Sequence, residues 1–179
     1  MKFNNKRNEF VTKDNIGERG FFISRSIAVL GTILVKCDNE IYVLINKRGT
    51  AMDFPNLYNM PCGYLDWNES ATEAIYREVY EECGLDLNEL KCVIKSDLEQ
   101  PWYVHHAADG NRQNVTLRFG LYCIMDKLPE LTSEFSEDNE VQEVKWFNVK
   151  NINTRFYGKF DWAFNHDKIL CDYLDYINK

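Results

Sequence analysis

A chain of 179 residues, 45% hydrophobic and 14% aromatic, is sized for one domain with a substantial core. A formal net charge of −7 argues against duplex nucleic acid or an anionic membrane surface as the main partner, yet leaves room for a phosphate substrate met through a cation and a few basic residues. The six cysteines are scattered without a C-x-x-C pair, no apolar run approaches the roughly 18 residues of a membrane span, and the N-terminus lacks a secretory core, so a cytoplasmic protein with reduced thiols and no membrane partner is expected.

Residues 1–20 are polar and rich in Asn and charge. They read as a flexible N-terminal arm, followed by a single domain over residues 21–179. Because Phe21 and Phe22 follow at once, the other reading packs the arm on the domain or on a partner subunit. Ser26 to Lys36 is β-branched and nearly continuous, the pattern of a buried strand. Asp38-Asn39 marks a turn, and Glu40 to Arg48 is the returning strand of a hairpin. Lys47 and Arg48, at its end, are candidate contacts for a substrate phosphate; the plainer reading is an ordinary charged strand end. Gly49 to Met60 is a loop.

The next stretch carries the chemistry. Ser70 followed by Glu73 is a capping-box signature. Ala71, Ala74, Ile75 and Val79 recur at helical spacing, and Gly84 stands where a left-handed residue ends a helix. A helix is therefore predicted from Ala71 to Cys83. Glu78, Glu81 and Glu82 share one face of it, turned from the apolar one. They lie at the negative end of the helix dipole, where basic residues are favoured. Arg77 is the one basic residue near enough in sequence to relieve the repulsion. A breach of local rules on this scale marks either a solvated acidic face or a functional site. Carboxylate oxygens alone would suit Mg²⁺ or Mn²⁺.

After this helix, Lys91 to Ile94 begins a strand. Trp102 and Tyr103, with Trp67, are candidate stacking surfaces for a base, although tryptophan at a loop edge is as often a packing residue. His105 and His106 would face opposite sides of a strand, and they read as a loop pair without a metal role. Asn114 to Met125 alternates like a half-buried strand. The acidic segment from Leu131 to Glu143 reads mostly as a solvated loop before a last strand at Val144 to Phe147. Asp161 to Asn178 has the spacing of an amphipathic helix, with His166 as a cap or core contact. The element order predicts an α/β/α sandwich around a mixed β-sheet.

Gly63, five residues, Glu69, seven residues, Arg77-Glu78-Val79, one residue, Glu81-Glu82, one residue, Gly84-Leu85 matches at every fixed position the signature of the Nudix hydrolase family, which the chain resembles. At average residue frequencies a chance match is on the order of one in ten million. The resemblance implies the same sandwich fold and a Mg²⁺- or Mn²⁺-dependent cleavage of a diphosphate linkage. Glu78, Glu81 and Glu82 are implied as metal ligands, with Glu81 or Glu82 also in a catalytic role. The carbonyl before the first glycine of the signature belongs here to Cys62, where many members have glycine, and is implied as a further ligand. Gly63, Glu69, Arg77 and Gly84 are implied as structural, with Glu69 and Arg77 locking loop to helix. A loop glutamate before the last strand often serves as ligand or base, which makes Glu137 and Glu140 candidates. Gln100-Pro101-Trp102 faintly resembles a tag found in NADH-cleaving members, a few residues too far downstream.

The implied substrate is a nucleoside diphosphate linked to another moiety, of ADP-ribose, dinucleotide or nucleotide-sugar type. A house-cleaning enzyme for nucleoside triphosphates and a non-catalytic nucleotide sensor are the alternatives. The arm and the aromatic surplus are compatible with a homodimer.

Overall fold

The computed structural model describes residues 9–11, 21–23, 27–109, 112–136, 139–152 and 162–179. Strands β1 (Glu9–Val11) and β2 (Phe21–Ile23) form an antiparallel ribbon, which takes in three residues of the polar arm. Residues 1–8 and 12–20 lie outside the described part.

The sheet grows from β3 (Ile27–Cys37) and β4 (Glu40–Arg48). Asp38 and Asn39 join them at φ 49° and 62°. Two left-handed residues give the turn that suits the twist of a tight hairpin, and Asn and Asp tolerate that conformation. Strand β3 is central. Val29, Ile33 and Val35 pack into one hydrophobic cluster, while Leu30 and Leu34 pack into another. Alternate side chains point to opposite faces of a strand, so burial on both sides explains the unbroken apolar run.

Beside β3 runs β9 (Arg112–Ile124), in parallel, with Leu30 opposite Arg118. Strands β7 (Val93–Asp97) and β8 (Tyr103–Asp109) both pair antiparallel with β9. Strand β10 (Val141–Asn148) closes the other side, antiparallel to β4. Two short pieces, β5 (Tyr58–Asn59) and β6 (Cys62–Tyr64), join β4 and β3 respectively. Among the described residues the result is a mixed sheet of eight strands. Helix α1 (Ala71–Cys83) supplies Ala74, Ile75, Val79 and Cys83 to the cluster on one face, and α2 (His166–Ile177) supplies Ile169, Leu170 and Tyr173 to the other. The layers are α, β, α.

Two expectations are corrected. His105 and His106 lie on β8, not in a loop, because Thr116 and Val115 of β9 pair with them. The last helix begins at His166, five residues later than its periodicity implies. Phe164 and Asn165 take φ 55° and 56°, which breaks the helical path ahead of it.

Candidate active site

Helix α1 is fixed at both ends by local chemistry. The Ser70 side chain accepts from the Glu73 N–H, and Glu73 accepts from the Ser70 N–H at 2.8 Å. Gly84 ends the helix at φ 66°, and its N–H donates to the Tyr80 carbonyl. Between these ends the helix buries more than its apolar face. Arg77, Glu78 and Glu82 are 7%, 9% and 8% exposed, so the acidic face is not a solvated one. Strand β6 and the end of β4 cover it.

Glu82 is held from two sides. Its Oε2 accepts from the backbone N–H of Cys62 at 3.0 Å and from Nδ2 of Asn46 at 2.8 Å. Cys62 therefore turns its N–H toward α1, while the preceding carbonyl, of Pro61, accepts from Gly31 of β3 at 2.9 Å. In an extended strand a residue's N–H and C=O share an edge, so the Cys62 carbonyl also lies on the helix side. The backbone of Cys62 avoids positive φ, which allows a side chain at this position. Glu78 lies against Gly63, where a Cβ would come within 2.0 Å of its Oε1. Only glycine lets the chain pass so close to that carboxylate.

Arg77 ties the loop to the helix. Its Nε and Nη2 bond the two oxygens of Glu69 at 3.0 and 2.7 Å, and Nη2 also reaches the Tyr64 carbonyl at 3.0 Å. Its Nη1 donates to Glu78 at 2.7 Å and to Glu81 at 3.0 Å. Burial works against the guanidinium charge, and the three glutamates outweigh it and push its pKa up.

The two buried carboxylates are the strained part of the site. Burial raises Glu78 to about 7 despite Arg77, with Glu81 and Glu140 adding repulsion. Burial and the Glu78 charge push Glu82 well above the ordinary carboxylate range. Glu140 is exposed, and its charge raises both. Its backbone carbonyl accepts from the Gly49 N–H at 2.6 Å, which docks the loop before β10 against the site. Glu137 lies outside the described residues.

The remaining candidates scatter. Arg48 is buried; its Nε donates to the Asp53 carbonyl at 2.6 Å, its guanidinium lies 4.9 Å from the Phe164 ring centre, and its charge lowers the pKa of Glu82. Lys47 is half-buried and sits opposite Glu143 of β10 and Tyr58 of β5. Trp102 packs on α2, with ring centres 5.2 Å from Tyr173 and 5.4 Å from Tyr176. Trp67 is largely exposed. His166 is buried, and its Nδ1 accepts from the Met60 N–H at 3.0 Å, a core contact. Asn46 is a site residue that no sequence motif marks. Its one signal in the sequence is an amide that directly follows the run Ile41 to Ile45.

An oxygen-only cluster with two desolvated carboxylates and few positive charges suits a hard divalent cation. Among the described residues no three acidic, histidine or cysteine side chains already converge on one point, since Glu78 and Glu81 are drawn onto Arg77. The fit rests on Glu78, Glu82 and the helix-side carbonyl of Cys62.

Fold and site together define a hydrolase built on a loop, a glutamate-bearing helix and a mixed sheet, and the chain belongs to the NUDIX domain family, which matches residues 25–173. It is a Nudix hydrolase, and such enzymes generally use divalent metal ions. An ADP-ribose pyrophosphatase of Methanocaldococcus jannaschii is 22% identical over 170 residues, spanning 95% of this chain and 85% of that protein. The NUDIX domain of Shewanella oneidensis NrtR, solved with ADP ribose, superposes with a TM-score of 0.57 at 17% identity, covering 84% of this chain and 87% of that one. A C. elegans Ap4A hydrolase, solved as a binary complex, gives 0.59 at 15% identity, covering 85% and 97%. Among the described residues no helix is long and apolar enough to cross a membrane.

Proposed function

We propose that this protein is a Mg²⁺- or Mn²⁺-dependent pyrophosphohydrolase acting on a nucleoside diphosphate linked to a second moiety, with ADP-ribose as the first substrate to test. The observation that carries this reading is the buried pair Glu78 and Glu82, raised by burial and by the neighbouring carboxylate charges. Such a pair is costly unless a cation joins it. Glu78, Glu82 and the Cys62 carbonyl would hold the ion, with Glu81 as a further ligand. A divalent cation there neutralises charge on the diphosphate and makes water more acidic.

The chain's own groups do the rest. Asn46 and the Cys62 N–H fix the Glu82 carboxylate. Arg77 and Glu69 fix the loop that carries Cys62 and Gly63. We assign the base to Glu140, whose exposure and electrostatic reach to Glu78 and Glu82 support the role. Water adds across the anhydride: its oxygen bonds one phosphorus, the bridging oxygen leaves with the other, and a proton passes to the base. From ADP-ribose the products are AMP and ribose 5-phosphate.

The likeness to the M. jannaschii ADP-ribose pyrophosphatase supports this substrate class. Six free cysteines support a reducing compartment, and we place the protein in the cytoplasm as one domain with an N-terminal arm. The test is hydrolysis, with Mg²⁺ at alkaline pH, of ADP-ribose, NADH, nucleotide sugars, dinucleoside polyphosphates and nucleoside triphosphates, read by mass spectrometry. A preferred diphosphate-linked compound supports the proposal. A preference for triphosphates moves the function to house-cleaning, and binding without turnover moves it to nucleotide sensing.

A further inference from the structure

Two phenylalanines stand out by backbone and by exposure. Phe54, in the loop after β4, and Phe164, just ahead of α2, both take φ 55°. Apart from Cys92, every other non-glycine residue with positive φ among the described residues is Asn or Asp. Those side chains tolerate the left-handed region, whereas a bulky aromatic there is an outlier. Both rings are also exposed, Phe54 by 51% and Phe164 by 42%. Burial therefore does not offset the strain, and strain of this kind gathers at sites that hold a ligand.

The rings meet each other and a buried arginine. Their centres lie 4.8 Å apart at 74°, edge to face, an arrangement that the charge pattern of aromatic rings favours. The Arg48 guanidinium lies over Phe164, 4.9 Å from its centre. The same side chain donates through Nε to the carbonyl of Asp53, the residue before Phe54. One arginine thus seats both rings. The loop that carries Phe54 is closed at its base, since the Arg48 N–H donates to the Leu57 carbonyl at 2.9 Å and the Asn56 N–H to the Arg48 carbonyl at 3.1 Å. The cation takes up one face of Phe164, and Phe54 is the more exposed ring.

Two routes place this corner beside the catalytic carboxylates. The charge of Arg48 opposes the burial that raises Glu82 and the Cys62 thiol, so the guanidinium lies within electrostatic reach of both. Phe164 also lies 5.6 Å from the ring of His166, whose Nδ1 accepts from the Met60 N–H. Met60 is two residues from Cys62, whose own N–H holds Glu82. Two residues of extended chain span at most about 7 Å. The Gly49 N–H, at the start of the same loop, bonds the Glu140 carbonyl. A substrate whose diphosphate meets the α1 glutamates carries its base one sugar away, at the rim where Phe54 and Phe164 stand. Both rings reach solvent, so a base approaches them without displacing core side chains.

We infer that Phe54, braced edge to face by Phe164, is the platform on which the nucleobase of the substrate stacks. This deepens the hydrolase reading and rests on it for the identity of the substrate. The ring contacts the base and sets affinity, while the phosphates stay with the α1 glutamates and their cation. Every base has a face to stack, so the platform binds the nucleoside half and gains most from the larger purines. Trp102, a stacking candidate in the sequence, packs instead on Tyr173 and Tyr176 of α2.

The experiment uses the full chain as wild type, Phe54→Ala and Phe54→Trp. Calorimetry measures binding of AMP and ribose 5-phosphate, which differ in the base, and steady-state assays with Mg²⁺ measure KM and kcat on the preferred substrate. Phe54→Ala is expected to weaken AMP about 5- to 50-fold, leave ribose 5-phosphate unchanged, and raise KM more than it lowers kcat. Phe54→Trp keeps a stacking face and is expected to hold the wild-type affinity for AMP. Because the ring is half in solvent, Phe54→Ala is expected to melt close to wild type. Unchanged AMP affinity together with unchanged KM overturns the inference. So does an equal loss for AMP and ribose 5-phosphate, or a wild type that binds AMP no more tightly than ribose 5-phosphate. Should Phe54→Ala fail to fold, Phe54→Gly, which accepts positive φ without strain, decides by the same comparison. If no anhydride is cleaved yet Phe54→Ala loses AMP binding, the hydrolase reading fails and the platform stands; cleavage with unchanged KM and AMP affinity gives the reverse.

Discussion

The backbone N–H of Cys62 and the side-chain amide of Asn46 meet on the same oxygen of Glu82, Oε2, at 3.0 and 2.8 Å. One oxygen takes both structural bonds, which leaves the other for a ligand. A Glu82→Gln side chain can present its carbonyl oxygen to both donors and lose only the charge. It is expected to fold, and in metal-free buffer to melt at or above the wild-type temperature, because a buried charge has gone. Differential scanning calorimetry with and without Mg²⁺ checks this; a Mg²⁺-induced rise should appear in wild type alone.

Asn46→Ala removes one of those donors and leaves the ligand set intact. Loss of a partner that orients a metal ligand typically costs about 10–100-fold in metal affinity or activity. Titration of activity against Mg²⁺ should show the half-saturation point shifted upward by that order. An unshifted curve would show that the Cys62 N–H suffices to orient Glu82.

Gly63→Ala places a methyl group within 2.0 Å of the Glu78 carboxylate. The obstacle is the far end of a side chain, so Glu78 gives way before the backbone does. The variant is expected to stay folded, at a cost of about 1–3 kcal/mol, and to lose most of its activity. Urea denaturation beside turnover separates the two effects.

His166 predicts an acid limb of stability. Its Nδ1 accepts from the Met60 N–H and must be unprotonated to do so. Burial, then the charges of Arg48 and Arg118, lower its pKa to about 3. In the unfolded chain the ordinary value is near 6.5. The unfolded state therefore binds the proton first, and the stability His166 provides, full above roughly pH 6.5, is lost as pH falls toward 3. The site pair acts in the opposite sense. Glu78, raised to about 7, contributes stability that is present below its ordinary carboxylate pKa and lost as pH rises through 7 in metal-free protein. Urea midpoints from pH 4 to 8, compared with His166→Gln and Glu78→Gln, should show each slope reduced in its own variant.

Local rules made some of this legible in the sequence. Both ends of α1 are encoded within a few residues, by Ser70 with Glu73 and by Gly84, and the helix spans Ala71–Cys83 as its sequence implies. The β3–β4 hairpin is similarly fixed by Asp38 and Asn39. What escaped depends on distant partners. Nothing in Tyr103–Asp109 alternates strongly, and it is a strand because β9 pairs with it. Asn46 meets Glu82 across 36 residues of sequence. The burial of Glu78 and Glu82 was equally hidden, since it comes from β6 and β4 and not from the helix's own pattern.

We propose that the buried glutamates of α1 form a cation-dependent catalytic centre for a diphosphate linkage. Its most direct test is the rate of ADP-ribose cleavage as a function of Mg²⁺ concentration, for wild type beside Glu82→Gln. No turnover is expected without the ion, with a saturable rise in its presence, AMP and ribose 5-phosphate in equal amounts, and a flat response in the variant. Equal rates in the two proteins, or turnover in wild type that ignores Mg²⁺, would contradict it.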